Sequence, residues 1–426
     1  MSGLGPRFRN EPFAARLALL IAGLLVTLLT AYMVGKFLHG DFKDAEVWYD
    51  AGHRVLNGQG LANLPHYRYP PTFAVLVAPF CALGFASFYF LWYVGNLWLF
   101  SVSGRLARAI AFPGGEDVPL RYHWIPCLLV AAYAIDNLIL GQTNILIMLL
   151  VYWSYLLDLR GRQWLSGLPL GAAIAIKAFP APLLAYFLYR GRLRVVGGAV
   201  LSCAVFLVLV PAPVRGLQRN LREVGEWGRR VVMPYLSRGE AGDWGQHAVD
   251  FGNQSLPAVA RRYLSHVDAQ VMARGGEPIY VGLVDLAPRE VNAIILTLFA
   301  ALALWFLAAC GIRRPPDRHR PVEYGIVTVL LLLVSALSWT YFFVMLLLPV
   351  TVALRLLERA DMLRPVSAWM LRAALWGLAA ATVLLVSHHA RAAGNLFWAS
   401  VLMLVALGLA CRDLRRGRAA DPAGAS

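Results

Sequence analysis

The sequence predicts an all-α, polytopic transmembrane helix bundle of about 11–13 membrane segments with extracytoplasmic loops. Three observations predict it. Of 426 residues, 59% are hydrophobic and only 15% charged, and mean hydropathy is +0.59, whereas a soluble domain is about half apolar and a quarter charged. The apolar residues come in runs of about 20, the length that crosses the hydrocarbon core as a helix. Arginines cluster just outside those runs, at Arg7/Arg9/Arg16, Arg160/Arg162, Arg190/Arg192/Arg194, Arg313/Arg314/Arg318/Arg320, Arg355/Arg359/Arg364 and Arg412/Arg415/Arg416/Arg418. This is the positive-inside signal. It accounts for a net charge of +15 without any nucleic-acid partner.

Each element follows in order. Basic residues precede the first apolar run, residues 14–37. That run is too long for a signal peptide and no A-x-A cleavage pattern follows it, so it is expected to stay as the first span. Residues 38–71 form the first outer loop. Residues 72–83 are apolar but too short to cross, whereas 85–104 suffice. Pro113-Gly114-Gly115 marks a turn. Residues 124–140 and 145–157 are spans separated by Gly141-Gln142-Thr143-Asn144. Residues 164–189 are apolar but interrupted by Lys177-Ala178-Phe179-Pro180, and 195–210 cross next. Residues 212–290 form the longest hydrophilic segment, with nine acids against ten arginines. Spans at 291–312, 322–337, 339–354, 368–386 and 392–411 follow. Residues 1–411 thus form one transmembrane domain, and 412–426 a disordered basic cytoplasmic tail.

Placing the Arg313–Arg320 cluster inside puts 212–290 outside and the C-terminus inside. In the first half, the arginines fit if 72–83 dips in and returns and 164–189 is a pair of half-helices opening outward. A regular alternation crossing at both places is the competing topology. Both versions leave the N-terminus cytoplasmic and put the 41–71 and 212–290 loops on one extracytoplasmic face of the cell's inner membrane. All five cysteines (Cys81, Cys127, Cys203, Cys310, Cys411) lie in or beside apolar runs without paired spacing, so neither disulfide nor metal site is expected of them.

The 41–71 stretch mixes Asp41, Asp44, Glu46 and Asp50 with Trp48, Tyr49, Tyr67 and Tyr69. That is the composition of a surface gripping a polar ring. It also fits an amphipathic helix with Val47, Trp48, Ala51 and Val55 facing lipid. Lys177 is one of three lysines and lies deep in an apolar run. A cation at membrane depth normally faces a partner or an aqueous cavity. Pro180 and Pro182 break the helix beside it, and broken helices are tolerated where they line a cavity. An ammonium there suits an anionic phosphate. Asp136-Asn137 with Gln142 and Asn144 reads as a polar turn closing a helical hairpin. Phe251-Gly252-Asn253-Gln254-Ser255-Leu256, followed by Arg261-Arg262, reads as a helix N-cap with a basic face.

Taken together, an acidic first loop ending in Tyr69-Pro70-Pro71, then Gly141-Gln142 with Asn144, Lys177 with Pro180, and Gly252–Leu256 resemble glycosyltransferase family 87. The resemblance covers about residues 40–355. It implies the GT-C membrane fold and a polyprenyl-phosphate sugar donor, mannose above all. It also implies transfer to a lipid or glycan acceptor on the extracytoplasmic face, with a catalytic Asp in the first outer loop. Asp44, with Val47 and Trp48 three and four residues on, fits the family's spacing better than Asp41. Arg261 and Arg262 join Lys177 as candidates for the donor phosphate. Trp48, Tyr49, Tyr69, Gln142, Asn144, Asn253, Gln254, Trp339 and Tyr341 are candidates for substrate contact. Many relatives carry His after a late Trp, but here Ser338-Trp339 is followed by Thr340-Tyr341-Phe342. A histidine role there is either lost or taken over by Tyr341 or by His388/His389.

The chemistry stands without the family. A sugar on a lipid phosphate needs a base for the acceptor hydroxyl, a cation for the departing phosphate and a greasy groove for the lipid. A single displacement inverts the anomeric centre. No Asp-x-Asp cluster is present, so neither an obligatory metal nor a cofactor is expected. A transporter or flippase of a lipid-linked sugar and a non-catalytic subunit of an envelope-assembly complex are the competing functions.

Overall fold

The computed structural model describes residues 12–62, 64–114, 118–119, 121–234, 248–271, 277–312 and 319–417. Arg7, Arg9, Arg313, Arg314, Arg318 and Arg418, and residues 235–247 of the 212–290 segment, lie outside that set. Among the described residues the regular structure is helical, with no strand.

The chain runs through α1 (Pro12–Leu38), α2 (Asp44–Leu56), α3 (Pro71–Cys81), α4 (Phe85–Ala111), α5 (Arg121–Leu129) and α6 (Ala131–Leu140). It continues through α7 (Asn144–Leu159), α8 (Gln163–Ile176), α9 (Leu183–Tyr189) and α10 (Leu193–Arg215). Next come α11 (Leu217–Trp227), α12 (Leu256–Leu264), α13 (Pro288–Cys310) and α14 (Arg320–Val334). Then follow α15 (Thr340–Glu358), α16 (Pro365–Val386), α17 (His388–Ala392) and α18 (Asn395–Gly417). Seven described helices are long and apolar enough to cross a membrane, and eight if α5 and α6 count as one span. The chain is a multi-pass membrane protein.

Sequence and structure differ at two places, the 124–140 span and the start of the C-terminal tail. The span expected at 124–140 is two helices bent by 60° at Val130, just after Pro126, whose ring cannot continue the hydrogen-bond ladder. The short run at 72–83 is the separate helix α3, about 16 Å long at 1.5 Å per residue. Gly84, at φ 85°, turns the chain into α4. Arg412 to Gly417, expected to be disordered, continue α18 as helix. Leu183 opens α9 after the break at 177–182, so the interruption at Lys177 separates two helices.

Packing is graded. In the hydropathy windows of α1, α4, α10, α13 and α16 only 17–28% of residues are buried, against 78% for α15 and 61% for α18. α15 is therefore the core of the bundle. α8 meets α10 through Gly167 and Gly171, where a Cβ would run into the Val195 carbonyl and the Ala199 backbone. Small residues four apart let membrane helices approach this closely.

One end of the bundle is held by buried ion pairs. Arg190 grips Glu323 with Nη2–Oε1 at 2.6 Å and Nε–Oε2 at 3.0 Å. Arg320 Nη1 lies 2.6 Å from Asp158 Oδ2, which also accepts from the Tyr324 hydroxyl at 2.5 Å. Three arginines that look like topology signals in the sequence, Arg190, Arg192 and Arg320, are thus engaged by acids inside the fold. α7 runs from Asn144 to this cluster at Asp158, about 21 Å along its axis.

Candidate active site

At the other end of α7 the Gly141–Asn144 turn is the frame. Gly141 sits at φ 72°, and a Cβ there would come within 2.9 Å of the Ala45 side chain. Only glycine allows both the left-handed backbone and the contact with α2. Its carbonyl accepts from two indoles, Trp48 Nε1 at 2.7 Å and Trp92 Nε1 at 2.9 Å. The apolar face of α2 (Ala45, Trp48, Ala51, Val55) is buried in the protein, so it does not lie against lipid. Asp44 opens that helix after Lys43, a non-glycine residue at φ 49°. Such strain persists only where the surroundings impose it.

The next three residues each hold one partner. Gln142 Nε2 donates to Asp44 Oδ2. Thr143 shares a hydrogen bond with the Tyr69 hydroxyl at 2.8 Å. Asn144 Oδ1 accepts from Lys177 Nζ at 2.7 Å. Lys177 caps α8 in extended conformation, its backbone N–H still donating to the Ala173 carbonyl, and its side-chain amine enters an aromatic enclosure. Nζ stands 4.2 Å from the Phe342 ring centroid, 5.6 Å from Tyr341 and 5.7 Å from Tyr69. Trp48 closes the set against Tyr69 at 4.6 Å. One four-residue turn thereby brings an acid and an amine into a single buried site.

Among the described residues, two buried polar atoms there, Gln142 Oε1 and Asn144 Nδ2, have no hydrogen-bond partner. Buried polar atoms are normally satisfied, so an orphan acceptor and an orphan donor beside Asp44 and Lys177 are where a ligand hydroxyl and a ligand oxygen fit. Burial pushes the Asp44 carboxyl above its ordinary range, while the Gln142 hydrogen bond and then the Lys177 charge oppose the rise.

Other predicted residues lie elsewhere. Asp41 pairs with Lys43 at 3.1 Å and Lys36 at 3.7 Å, its side chain 46% exposed. Tyr49 packs on Phe85 at 5.0 Å and Phe88 at 5.8 Å. The Asn253 amide donates to the Ala248 and Ala336 carbonyls and accepts from the Ser338 and Ser255 N–H groups. The Gln254 amide donates to the Phe251 and Arg391 carbonyls, and its oxygen takes the Leu396 and Phe397 N–H groups. Arg262 donates to the Ala392, Val249, Asp250 and Asn253 carbonyls. These three side chains, candidates for substrate or donor-phosphate contact, fasten the 212–290 segment to α17 and to the Ser335–Trp339 segment. Arg261 donates to Asn292 Oδ1 at 3.1 Å on α13. Trp339 lies over Gly252, where a Cβ would come within 2.8 Å of its ring.

Tyr341 links this region to a residue the site prediction omitted. Its backbone N–H donates to Asp136 on α6, and Arg391 supplies the facing charge. An acid in the apolar run 124–140 was itself the signal, since ionisable residues at membrane depth are functional by default. Phe342, the ring nearest Lys177, carried no such signal.

Fold and site define the class: a multi-pass helical membrane protein with a carboxylate and an amine enclosed together at one end of the bundle. That is an arrangement suited to group transfer from an anionic lipid. The pattern of glycosyltransferase family 87 matches residues 67–336, and the chain belongs to that family. A Mycobacterium tuberculosis protein named polyprenol-phosphate-mannose-dependent alpha-(1-2)-phosphatidylinositol pentamannoside mannosyltransferase is 29% identical over 283 residues, 65% of this chain and 56% of the relative. A Mycolicibacterium smegmatis protein of the same name is 27% identical over 352 residues, 79% of this chain and 76% of its own. A Mycobacterium tuberculosis alpha-(1->3)-arabinofuranosyltransferase is 30% identical over 168 residues, 37% of this chain and 38% of its own. In the first of these matches the chain thus spans little more than half of the relative. No solved structure matches the chain.

Proposed function

We propose that the protein moves a hexose, mannose by the names of its relatives, from a polyprenyl-phosphate donor to a lipid or glycan acceptor on the extracytoplasmic face. The observation that carries this reading is the joint mounting of Asp44 and Lys177 on one turn, through Gln142 and Asn144.

In the reaction the acceptor oxygen attacks the anomeric carbon and the bond from that carbon to the phosphate oxygen breaks. Asp44 takes the hydroxyl proton, and the electron pair leaves with the polyprenyl phosphate, held by Lys177. One displacement inverts the anomeric centre. Asn144 Nδ2 donates to a phosphate oxygen and Gln142 Oε1 accepts from a sugar hydroxyl, filling the two orphan positions. Tyr69 and Tyr341 line the sugar, and Trp48 supports Tyr69 from behind. The donor's lipid runs along an apolar groove of about 340 Å³ lined by Pro182, Tyr186, Phe306 and Val327. Pro182 places that groove next to the break that carries Lys177.

The test is donor consumption by purified protein in lipid, offered polyprenyl-phosphate mannose, glucose and arabinose in turn with envelope extract as acceptor. Consumption of one of them that depends on Asp44 supports transfer. A protein that binds donor yet consumes none, and moves it between leaflets instead, is a flippase.

A further inference from the structure

α17 has only five residues, His388–Ala392, too few to hold a direction unaided. Three successive carbonyls at its end are held from outside. Gln254 Nε2 donates to the Arg391 carbonyl at 2.7 Å, Arg262 Nε to Ala392 at 2.8 Å, and the Tyr263 hydroxyl to Ala393 at 2.8 Å. A backbone clamped in this way fixes where Arg391 starts from. Its guanidinium lies over the Phe251 ring, 4.5 Å from the centroid. Its Nε is buried and has no hydrogen-bond partner among the described residues.

Burial works against this cation, and the charges that sustain it are Asp136 first and then Asp250. Asp136 accepts from the Tyr341 backbone N–H. The Tyr341 ring stands 5.6 Å from Lys177 Nζ, and its side chain feels the charges of both Asp44 and Asp136. Asp44, Asp136, Tyr341 and Arg391 are each only partly buried, so each keeps an accessible edge. The site at Asp44 and Lys177 thus continues past Tyr341 to a second polar cluster. A buried guanidinium nitrogen left without a partner is costly, and a ligand oxygen would satisfy it.

Given transfer at Asp44 and Lys177, we infer that Asp136 and Arg391 bind the acceptor, and that the part they grip is a neutral sugar. Asp136 accepts from one hydroxyl of the ring, and Arg391 donates to the oxygen beside it. Charge decides between a sugar and a phosphate. Asp136 and Asp250 together outweigh the single cation of Arg391, so a phosphate meets net repulsion there. A vicinal diol offers a donor to the acid and an acceptor to the guanidinium. Held at this end, the acceptor presents a further hydroxyl to Asp44 on the other side of Tyr341.

Saturation-transfer NMR on full-length protein in lipid nanodiscs, titrated with methyl mannoside, methyl glucoside and glycerol 1-phosphate, tests the inference without donor or turnover. At least one methyl hexoside should bind. Arg391→Gln should weaken that binding about tenfold, the worth of one charge-assisted hydrogen bond, and Arg391→Lys should restore part of it. Asp136→Asn, which can still accept from Tyr341, should weaken it to a similar degree. Absence of hexoside binding, or binding unmoved by Arg391→Gln, would overturn the inference. So would tighter binding of glycerol 1-phosphate that is lost in Arg391→Gln, which would make this an anion site. Hexoside binding through Arg391 in a protein that consumes no donor would sink the transfer reading and leave the sugar site standing.

Discussion

Asp44 is ionised at a cost, because burial opposes its charge more than Gln142 and Lys177 relieve it. Its folded pKa stands above the unfolded value, so the stability it contributes is fully present below the unfolded pKa. That stability is lost as pH rises through the folded one. Asp44→Asn should therefore unfold no more readily at neutral pH than the native protein, while turnover falls by about 10²–10⁴-fold, the usual worth of a general base. Thermal unfolding in detergent and transfer at equal membrane abundance check both halves. Gln142→Leu removes the hydrogen bond that favours the carboxylate, so the acid limb of the pH–rate profile should move to higher pH. An unmoved limb would take Gln142 out of contact with the base. Lys177→Ala should weaken donor binding, and Lys177→Arg should restore it only in part, since a planar fork does not replace a compact ammonium. Unchanged donor affinity would make the lysine structural. Much of this site was legible: Lys177, Gln142 and Asn144 are polar residues among apolar runs, and such residues need partners. Asn253, Gln254 and Arg262 looked equally suitable, but their partners are backbone carbonyls and amides distant in sequence, such as those of Ala336 and Leu396. Residue types alone do not reveal those.

The elements that aim these residues are short. α8 ends at Lys177 because Pro180 and Pro182 follow, and it is held against α10 by two glycines. Gly171→Val forces the α8 and α10 backbones apart, and overpacking of this kind costs about 1–3 kcal/mol. The expected outcome is a lower unfolding temperature together with weaker donor binding, because Lys177 moves with its helix. Normal donor binding in a destabilised variant would uncouple the helix from the site. At the far end of α7, Asp158→Ala leaves Arg320 buried without that carboxylate. The expected loss is about 3–5 kcal/mol, as for other broken buried pairs, read as reduced folded protein. The break at Lys177 was readable from its prolines, and α3 from its length. The 60° bend at Val130 was not, because Pro126 lies in a run whose composition fits one straight span. The meeting of the Cys310 and Cys411 sulfurs with a Glu323 carboxylate oxygen, all within 4.8 Å of one another, was also hidden. Neither spacing nor composition says that α13 and α18 lie side by side.

For the whole molecule, the bundle has a polar cluster at each end of α7. In the orientation proposed above, the Asp44 end faces outside and the Asp158 end the cytoplasm. Cysteines introduced at Gln59 and Leu283 should react with a membrane-impermeant thiol reagent in intact cells, and one at Met362 should not. The reverse pattern would turn the molecule over and put the site on the cytoplasmic face. The central claim is that Asp44 and Lys177 form one transfer site, and donor consumption measures it most directly. Purified native protein, Asp44→Asn and Lys177→Ala, reconstituted at equal amounts, are offered polyprenyl-phosphate mannose with acceptor extract. The native protein should turn donor over, Asp44→Asn should bind it without turnover, and Lys177→Ala should fail to hold it. Native rates of transfer in Asp44→Asn, with donor affinity unchanged in Lys177→Ala, would contradict that claim.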